Sequence, residues 1–223
     1  DLVMYVWFDA LVNYISTIGW PDDEERFQKW WPVTQFAGKD NLRQQAAMWQ
    51  AMLMSAGLPL SKQVFIHGFI TAGGRKMSKS LGNSVSPFSI LERYGVDTLR
   101  YALLRHVNPL EDSDLTEAMI GEYYTAHLSN GLGNLVARVM KLAEEHLPHP
   151  VELSGGEETI APAFFEYIDA YRFTEAMDLI FAKMSEADQF MTERAPYKGI
   201  KSGDAGIREE ARGDIIEPVK RLA

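Results

Sequence analysis

There is no cysteine among the 223 residues, which excludes disulfides, thiol nucleophiles and cysteine-ligated zinc and fits a reducing, cytoplasmic setting. Long apolar runs are missing as well. Stretches such as Val64-Phe65-Ile66 are far too short to span a bilayer, so a soluble protein with no membrane partner is expected. The opening Asp-Leu-Val-Met-Tyr-Val-Trp-Phe-Asp has neither the basic region of a signal peptide nor the character of a transit peptide. Positive charge is scarce: 22 Lys+Arg against 31 Asp+Glu leave a net charge of −9. Such a balance argues against a surface that coats nucleic acid indiscriminately, though a local basic patch can act inside an acidic protein. No internal repeat or low-complexity tract is visible. What remains is a chain with 46% hydrophobic residues, enough for one large domain or two modest ones.

The first third reads as mixed α/β. Residues 4–8, 33–37 and 63–67 are β-rich runs. Between the last two, residues 42–56 carry Met48, Met52 and Leu53 at helical spacing, closed by Gly57 as a C′ residue. Strand, helix, strand within about thirty residues is a βαβ unit and implies a parallel sheet. Ligands of such sheets sit at the carboxyl ends of the strands, where Asp40 and the segment after Thr71 are expected. Asp40 also suits the N-cap of a helix starting at Asn41. Further on, Ser86-Pro87 reads as N-cap and N1, Gly95 as a stop, and residues 97–105 as a second helix. A loop at 108–114 follows. From Leu115 onward no strand is expected. Met119, Tyr123, Leu128, Leu132, Leu135, Val139 and Leu142 recur at three- and four-residue steps, with Gly131 and Gly133 inside the pattern. A Pro/Gly/Glu-rich connection at 148–158 precedes helical patterns at 162–171 and 174–193. Residues 198–223 are charged and carry no stop signal, so the chain is expected to be truncated there.

The strongest chemical signal is Gly73-Gly74-Arg75-Lys76-Met77-Ser78-Lys79-Ser80-Leu81-Gly82-Asn83. A glycine-flexed loop after a strand, with three cations and two hydroxyls in six residues, can wrap a polyphosphate. Its ammonium groups then meet the charge that grows as pyrophosphate leaves. It is not the GxxxxGK[ST] P-loop, so a simple NTPase is excluded. For an arbitrary Gly-Gly-Arg-Lys turn the alternative is an exposed hairpin with its lysines in water.

Lys76 to Ser80 match in all five residues the Lys-Met-Ser-Lys-Ser signature, and the chain resembles class I aminoacyl-tRNA synthetases. The resemblance implies that this loop stabilises attack of an amino-acid carboxylate on the α-phosphate of ATP. Lys76 and Lys79 would be catalytic, Lys79 foremost, and Met77, Ser78 and Ser80 would join them at ATP, with Mg²⁺ accompanying the nucleotide. His67-Gly68 is similar to the strand that the family lays along the bound adenylate. The family's His-Ile-Gly-His motif is absent, so the first half of the nucleotide fold is expected to lie outside this sequence. Within the family, Tyr5-Val6-Trp7-Phe8-Asp9-Ala10 with Tyr14-Ile15, and Gly38-Lys39-Asp40 leading into a helix, look like the methionyl branch. Trp7, Ala10, Tyr14, Asp40, Asn41 and Gln45 are then implied to form the L-methionine site. Aromatic faces suit a polarizable thioether, although Trp7 and Tyr14 have ordinary core packing as their alternative. Gln45 stands where the family often has histidine.

Asn130-Gly-Leu-Gly-Asn134-Leu-Val-Ala-Arg138 resembles the start of the methionyl branch's anticodon-binding helices. Asn134 and Arg138 are four apart and share a helix face, as a solvated face or as a reader of unpaired bases. Tyr197, after Pro196, takes the place of a family tryptophan and offers a smaller stacking face. The implied fold is α/β: residues 1–84 as the second half of a Rossmann-like parallel-sheet domain, 85–113 as connecting helices, and 114–223 as an all-α helical-bundle anticodon-binding domain. The implied partners are ATP, L-methionine and tRNA(Met), and no resident metal is expected. Another class I synthetase, for leucine, valine or cysteine, and a non-catalytic tRNA-binding module are the alternatives.

Overall fold

The computed structural model describes residues 3–78, 82–152 and 162–222. The chain divides into two compact units, one of Asp1–Phe69 with Leu110–Asp112 and one of Ile70–Pro109 with Ser113–Ala223.

In the first unit the β-rich run at residues 4–8 is not a strand, because helix α1 (Val6–Ser16) begins inside it. Trp7, Leu11 and Ile15 fall at four-residue steps. Leu11 and Ile15 are buried in a cluster with Phe27, Trp31, Trp49 and Leu53, and Trp7 packs against it. Burying each large apolar side chain contributes roughly 1.5–3 kcal/mol. That outweighs a β-propensity scale spanning about 1 kcal/mol. Helix α2 (Glu24–Trp30) starts at Asp23, whose carboxylate accepts from the Arg26 amide, with Glu24 and Glu25 at the positive end of the helix dipole. Strands β1 (Thr34–Gly38) and β2 (Gln63–His67) pair in parallel from Thr34↔Gln63 to Gly38↔His67, as the βαβ reading requires.

The connection is not one α-helix. A 3-10 turn (Lys39–Asn41) leads into a π-helical segment (Arg43–Met48) and then α3 (Trp49–Ser55). Winding starts at Lys39, so Gly38 takes the N-cap position and Asp40 lies inside the first turn instead of capping it. Gly57, at φ +68°, ends the helix as expected. Its amide donates to Met54 O at 3.1 Å and the Leu58 amide to Leu53 O at 3.0 Å, the paired bonds of a Schellman motif.

The second unit holds a small sheet of β3 (Ile70–Ala72), β4 (Arg75–Lys76) and β5 (Ser113–Asp114) in the order β4-β3-β5. Strand β5 closes the segment expected to be a loop. Two residues, Ser-Asp, carry no β signature, and only their parallel pairing with Ile70 and Thr71 makes them a strand. Helix α4 (Pro87–Tyr94) has Pro87 in its first turn and ends at Gly95 with φ +83°, and α5 (Val96–His106) follows, both close to expectation. Their cluster of Ile90, Ala102, Leu115 and Ile120 is fully or nearly buried.

Among the described residues nothing after Asp114 is strand. The long amphipathic pattern becomes α6 (Glu117–Tyr123), a π-helical segment (Tyr124–Gly133) and α7 (Asn134–His146). Residues 153–161, which include most of the Pro/Gly/Glu-rich connection, lie outside the described residues. Helices α8 (Pro162–Asp169) and α9 (Phe173–Arg194) come next, then α10 (Pro196–Gly199) and α11 (Ala205–Leu222). The charged stretch at 198–223 shows no helical pattern at first sight, yet Ala211, Ile215 and Val219 at four-residue steps are buried there. Val219 joins Leu135, Val139, Ala187 and Met191 in one cluster, which brings α7, α9 and α11 together. This stripe was present in the sequence and masked by the charges around it.

Candidate functional site

In the first unit, Asp40, His67 and Phe69 converge at the carboxyl end of β1. A methyl group on Gly38 would lie 3.0 Å from Asp40 Oδ1, 3.7 Å from His67 Cε1 and 3.8 Å from Phe69 Cε1. Asp40 and His67, two of the expected site residues, therefore meet where a parallel sheet offers its ligand site. Lys39 braces the same corner. Its Nζ bonds both Asp112 carboxylate oxygens at 2.6 Å and lies 4.6 Å from the Phe69 ring centroid. Asp112 also accepts from the Phe69 amide at 2.8 Å. The Lys39 bond, then the backbone bond from Phe69, hold the Asp112 carboxyl below the usual carboxylate range. Gly68 is pressed against this strap, since a Cβ there would come within 2.1 Å of Glu111 O. No local pattern singled out Asp112, because its partner Lys39 is 73 residues away.

On α1, Trp7, Ala10 and Tyr14 share one face by their three- and four-residue steps. Trp7 is half-buried against the core, Ala10 is exposed, and Tyr14 sits 6.0 Å from Trp49, ring to ring. Trp7 and Tyr14 thus both pack against the core of this unit. The Gln45 side chain, 3% exposed, donates from Nε2 to Tyr14 Oη at 2.9 Å. Gln45 Oε1 is buried without a hydrogen-bond partner. Gln45 lies in the π segment, where Gln50 Nε2 donates to its carbonyl at 3.0 Å and Ser61 links Gln50 to the buried Gln35. Asn41 is half-buried. An apolar cleft of about 470 Å³ in this unit, lined by Phe8, Val12, Trp20, Met48, Met52 and Leu58 among others, includes none of the expected methionine-site residues.

In the second unit the lysine motif sits on a two-residue hairpin. Gly73 and Gly74 have φ of +63° and +70° between β3 and β4, which suits the turn that a right-twisted hairpin prefers. Asp114 Oδ1 holds this turn, accepting from the Gly74 amide and from Thr71 Oγ1, both at 2.9 Å. Lys76 lies in β4, and beyond it Asn83 closes the loop. Asn83 Oδ1 accepts from the Ser78 amide at 2.8 Å, and its Nδ2 donates to Lys76 O at 3.2 Å. Met77 and Ser78 are half-buried. Lys79 and Ser80 lie outside the described residues. The hairpin reading holds for residues 73–76, which form the turn and β4.

Asn134, exposed, is the first residue of α7, and Arg138 one turn later is ion-paired with Asp188 of α9. Leu135 and Val139 point into the core from the neighbouring face. Tyr197, in α10, is 42% exposed, with Lys198 Nζ 5.9 Å from its ring centroid. The Arg138 guanidinium on α7 and the Tyr197 ring on α10 are therefore both partly exposed.

A cluster with no local sequence signature joins α5, α6, the π segment and α9. The His106 ring stacks on Tyr123 at 3.7 Å, and Tyr101 Oη lies 2.7 Å from His127 Nδ1. Arg105 donates to that phenol oxygen at 3.0 Å, pairs with Asp178 at 3.2 Å and covers the Phe181 ring at 3.7 Å. The phenol hydrogen is then left for His127 Nδ1, which accepts it as a neutral imidazole. Burial, then the proximity of His127, which titrates in the same range, and of the Arg105 cation, push the His106 pKa down to about 4. Burial and Arg105 lower that of His127. The residue spacing offered no warning, because Tyr101 and His106 of α5 meet Tyr123 of α6 and His127 of the π segment only in the folded chain.

The comparisons with known proteins agree with the motif. Residues 1–140 match the family model described as tRNA synthetases class I (M). The chain belongs to this family of class I tRNA synthetases. A methionine–tRNA ligase of Thermotoga maritima is 38% identical over 99% of the chain, which covers 37% of that relative. One from Mesorhizobium japonicum is 37% identical over 99% of the chain and 45% of its own length. Among solved class I tRNA synthetases, Mycobacterium tuberculosis methionyl-tRNA synthetase in complex with methionyl-adenylate superposes with a TM-score of 0.84 at 33% identity. That match covers 99% of this chain and 46% of the other. The α/β fold, with its small parallel sheet and many helices, is thus shared with these synthetases. The chain spans less than half the length of the relatives it matches. Among the described residues no helix is long and apolar enough to cross a membrane.

Proposed function

We propose that this chain forms part of a methionine–tRNA ligase that joins L-methionine to ATP as methionyl-adenylate, releasing pyrophosphate, and passes the methionyl group to tRNA(Met). The observation that carries the reading is the five-residue lysine motif, Lys76 to Ser80, on a clamped two-glycine hairpin in a chain of the class I (M) family. Residues 1–84 supply the second half of a Rossmann-like domain, 85–113 connect, and 114–223 form the anticodon-binding helical domain.

In this reading a methionine carboxylate oxygen attacks the α-phosphorus of ATP, and the bond to pyrophosphate breaks. Lys76 and Lys79 act on the charge that develops on the departing phosphates, with Ser78 and Ser80 as hydroxyl donors and Met77 joining them at ATP. His67 and Gly68, at the end of β2, lie along the adenylate. Trp7, Ala10, Tyr14, Asp40, Asn41 and Gln45 shape the amino-acid site. Magnesium would arrive on the polyphosphate, whose oxygens are its usual ligands. No group of three or more metal-ligating side chains stands together among the described residues. Asn134, Arg138 and Tyr197 read the anticodon loop.

Single-turnover adenylate formation tests the proposal. In an enzyme containing this chain together with the His-Ile-Gly-His half, Lys79→Ala is expected to slow the step on the order of 10²–10³-fold. Methionine binding should change little. An unchanged rate would return the loop to an ordinary turn. The isolated 1–223 chain is expected to show no methionine-dependent ATP–pyrophosphate exchange, since half of the phosphate clamp is absent and the reactants are not held in an attack geometry.

A further inference from the structure

The Asn83 side chain does the work of a neighbouring strand. In a parallel ladder, a residue donates its N–H to the carbonyl of residue i and accepts, on its own carbonyl, the N–H of residue i+2. Asn83 reproduces this pattern with its carboxamide, donating from Nδ2 to Lys76 O at 3.2 Å and accepting at Oδ1 from the Ser78 amide at 2.8 Å. The assignment of oxygen and nitrogen follows from the partners, because a carbonyl needs the donor and an amide needs the acceptor. The two groups it bridges lie at the edge of β4, where the ladder with β3 ends at Thr71↔Lys76. On the far side of the hairpin, Asp114 holds Thr71 and the Gly74 amide. Two side chains therefore fix the hairpin backbone, one at its turn and one at the point where Lys76 and Ser78 leave the sheet.

The bridge is chemically selective. Aspartate would keep the acceptor for Ser78 but set a carboxylate oxygen against the Lys76 carbonyl. Glutamine has both groups on a stem one methylene longer, and alanine has neither. We propose that Asn83 is the positioning residue of the lysine loop, fixing the backbone of Lys76 and Ser78 so that their side chains meet the ATP phosphates without first having to be ordered. The proposal rests on the ligase reading above and deepens it by naming what preorganises the loop. A reacting group displaced by about 1 Å can cost on the order of 10²-fold in rate. The loss of one backbone anchor is accordingly expected to slow adenylate formation by roughly 10- to 100-fold.

The test uses the complete enzyme carrying Asn83→Ala, Asn83→Asp or Asn83→Gln, with Lys79→Ala beside them. Single-turnover adenylate formation, the methionine dissociation constant and the melting temperature are read for each. The expected result is a slowed chemical step in all three Asn83 variants, with methionine affinity and melting temperature as in the parent. A merely structural side chain would not produce that split. If Lys79→Ala is slow while Asn83→Ala and Asn83→Asp stay within twofold of the parent, the positioning role is overturned and the ligase reading stands. Loss of stability and methionine binding in proportion to rate also overturns it, because Asn83 would then serve the fold as a whole. If Lys79→Ala itself is without effect, the ligase reading of the loop fails, and the inference fails with it.

Discussion

The strand-end site of the first unit and the lysine hairpin of the second are held in opposite ways. At the end of β1, the braces come from far along the chain: Lys39 to Asp112, separated by 73 residues, and Gln45 to Tyr14, separated by 31. Backbone there is pressed against backbone, with Gly68 under Glu111. At the hairpin, Asn83 reaches Ser78 across five residues, and the turn glycines have open space around them. The first arrangement depends on close packing that tolerates little change in volume. The second depends on a few directed hydrogen bonds and on backbone conformation, with open space around its turn.

Glycine substitutions separate the two most sharply. Gly68→Ala would place a methyl group 2.1 Å from Glu111 O, and the neighbour is backbone, so the strap at 110–112 has to move. The expected cost is about 3 kcal/mol or more, at the upper end for overpacking. Gly74→Ala meets nothing within 4 Å but must adopt φ +70°, which costs about 1–2 kcal/mol. Gly73→Asn, which makes the Asn-Gly pair that such hairpins favour, should be close to neutral. Equilibrium denaturation of the three variants checks the order. Equal losses at Gly68 and Gly74 would erase the distinction.

The same contrast explains what was legible in the sequence. The hairpin and the family could be read because glycines, lysines and serines within eleven residues carry both the turn and the family's signature. The βαβ unit could be read from alternating runs and from Gly57. Helix α1 could not be, because Tyr5-Val6-Trp7-Phe8 is β-rich by composition and only burial of Leu11 and Ile15 settles its winding. The π segments were invisible, since an extra residue per turn leaves no composition signature. Asp112 and Asp114 looked like loop residues, and only the tertiary pairing of 112–114 with 69–71 gives them partners. The histidine cluster escaped notice for the same reason.

That cluster gives the second unit a pH dependence that begins nearer neutrality than the carboxylate-linked one of Asp112 in the first. A histidine whose folded pKa lies below its unfolded value of about 6.5 binds fewer protons folded than unfolded in the interval between them. The stability tied to His106 is therefore complete above about pH 6.5 and is lost as pH falls towards about 4. His127 adds a loss of the same sign. The facing charges are Arg105, which disfavours a second cation, and Asp178, which partly offsets it. The melting temperature should fall by several degrees over this range, and His106→Gln should flatten the profile. A profile that His106→Gln leaves unaltered would remove the cluster as the cause.

A smaller effect is expected at Gln45→Met. The substitution removes one bond to Tyr14 but also a buried, unpartnered oxygen, so stability should move by less than about 1 kcal/mol. In the complete enzyme, the freed phenol is expected to raise the KM for methionine with little change in kcat, the mark of lost ground-state binding. A fall in kcat at constant KM would place Gln45 nearer the chemistry than its burial suggests.

A comparably small change in stability is expected at Arg138. Its ion pair with Asp188 is exposed on both sides, with side-chain accessibilities of 40% and 55%, and such pairs contribute about 0–1 kcal/mol. The packing around it is carried by Leu135 and Val139 instead. In the ligase reading, Arg138→Ala should leave melting and methionine-dependent ATP–pyrophosphate exchange nearly untouched while weakening charging of tRNA(Met), because exchange needs no tRNA. Tyr197→Ala should do the same more mildly if its ring stacks on a base. The ion pair adds a sign that a bare surface arginine would lack: Asp188 holds the guanidinium and opposes the phosphates of an approaching RNA. Asp188→Asn should therefore lower the KM for tRNA in the charging reaction, and its effect should vanish in the Arg138→Ala background. Equal losses in exchange and charging would assign Arg138 to the fold. Strict additivity of the Arg138 and Asp188 changes would mean that the pair does not face the RNA at all.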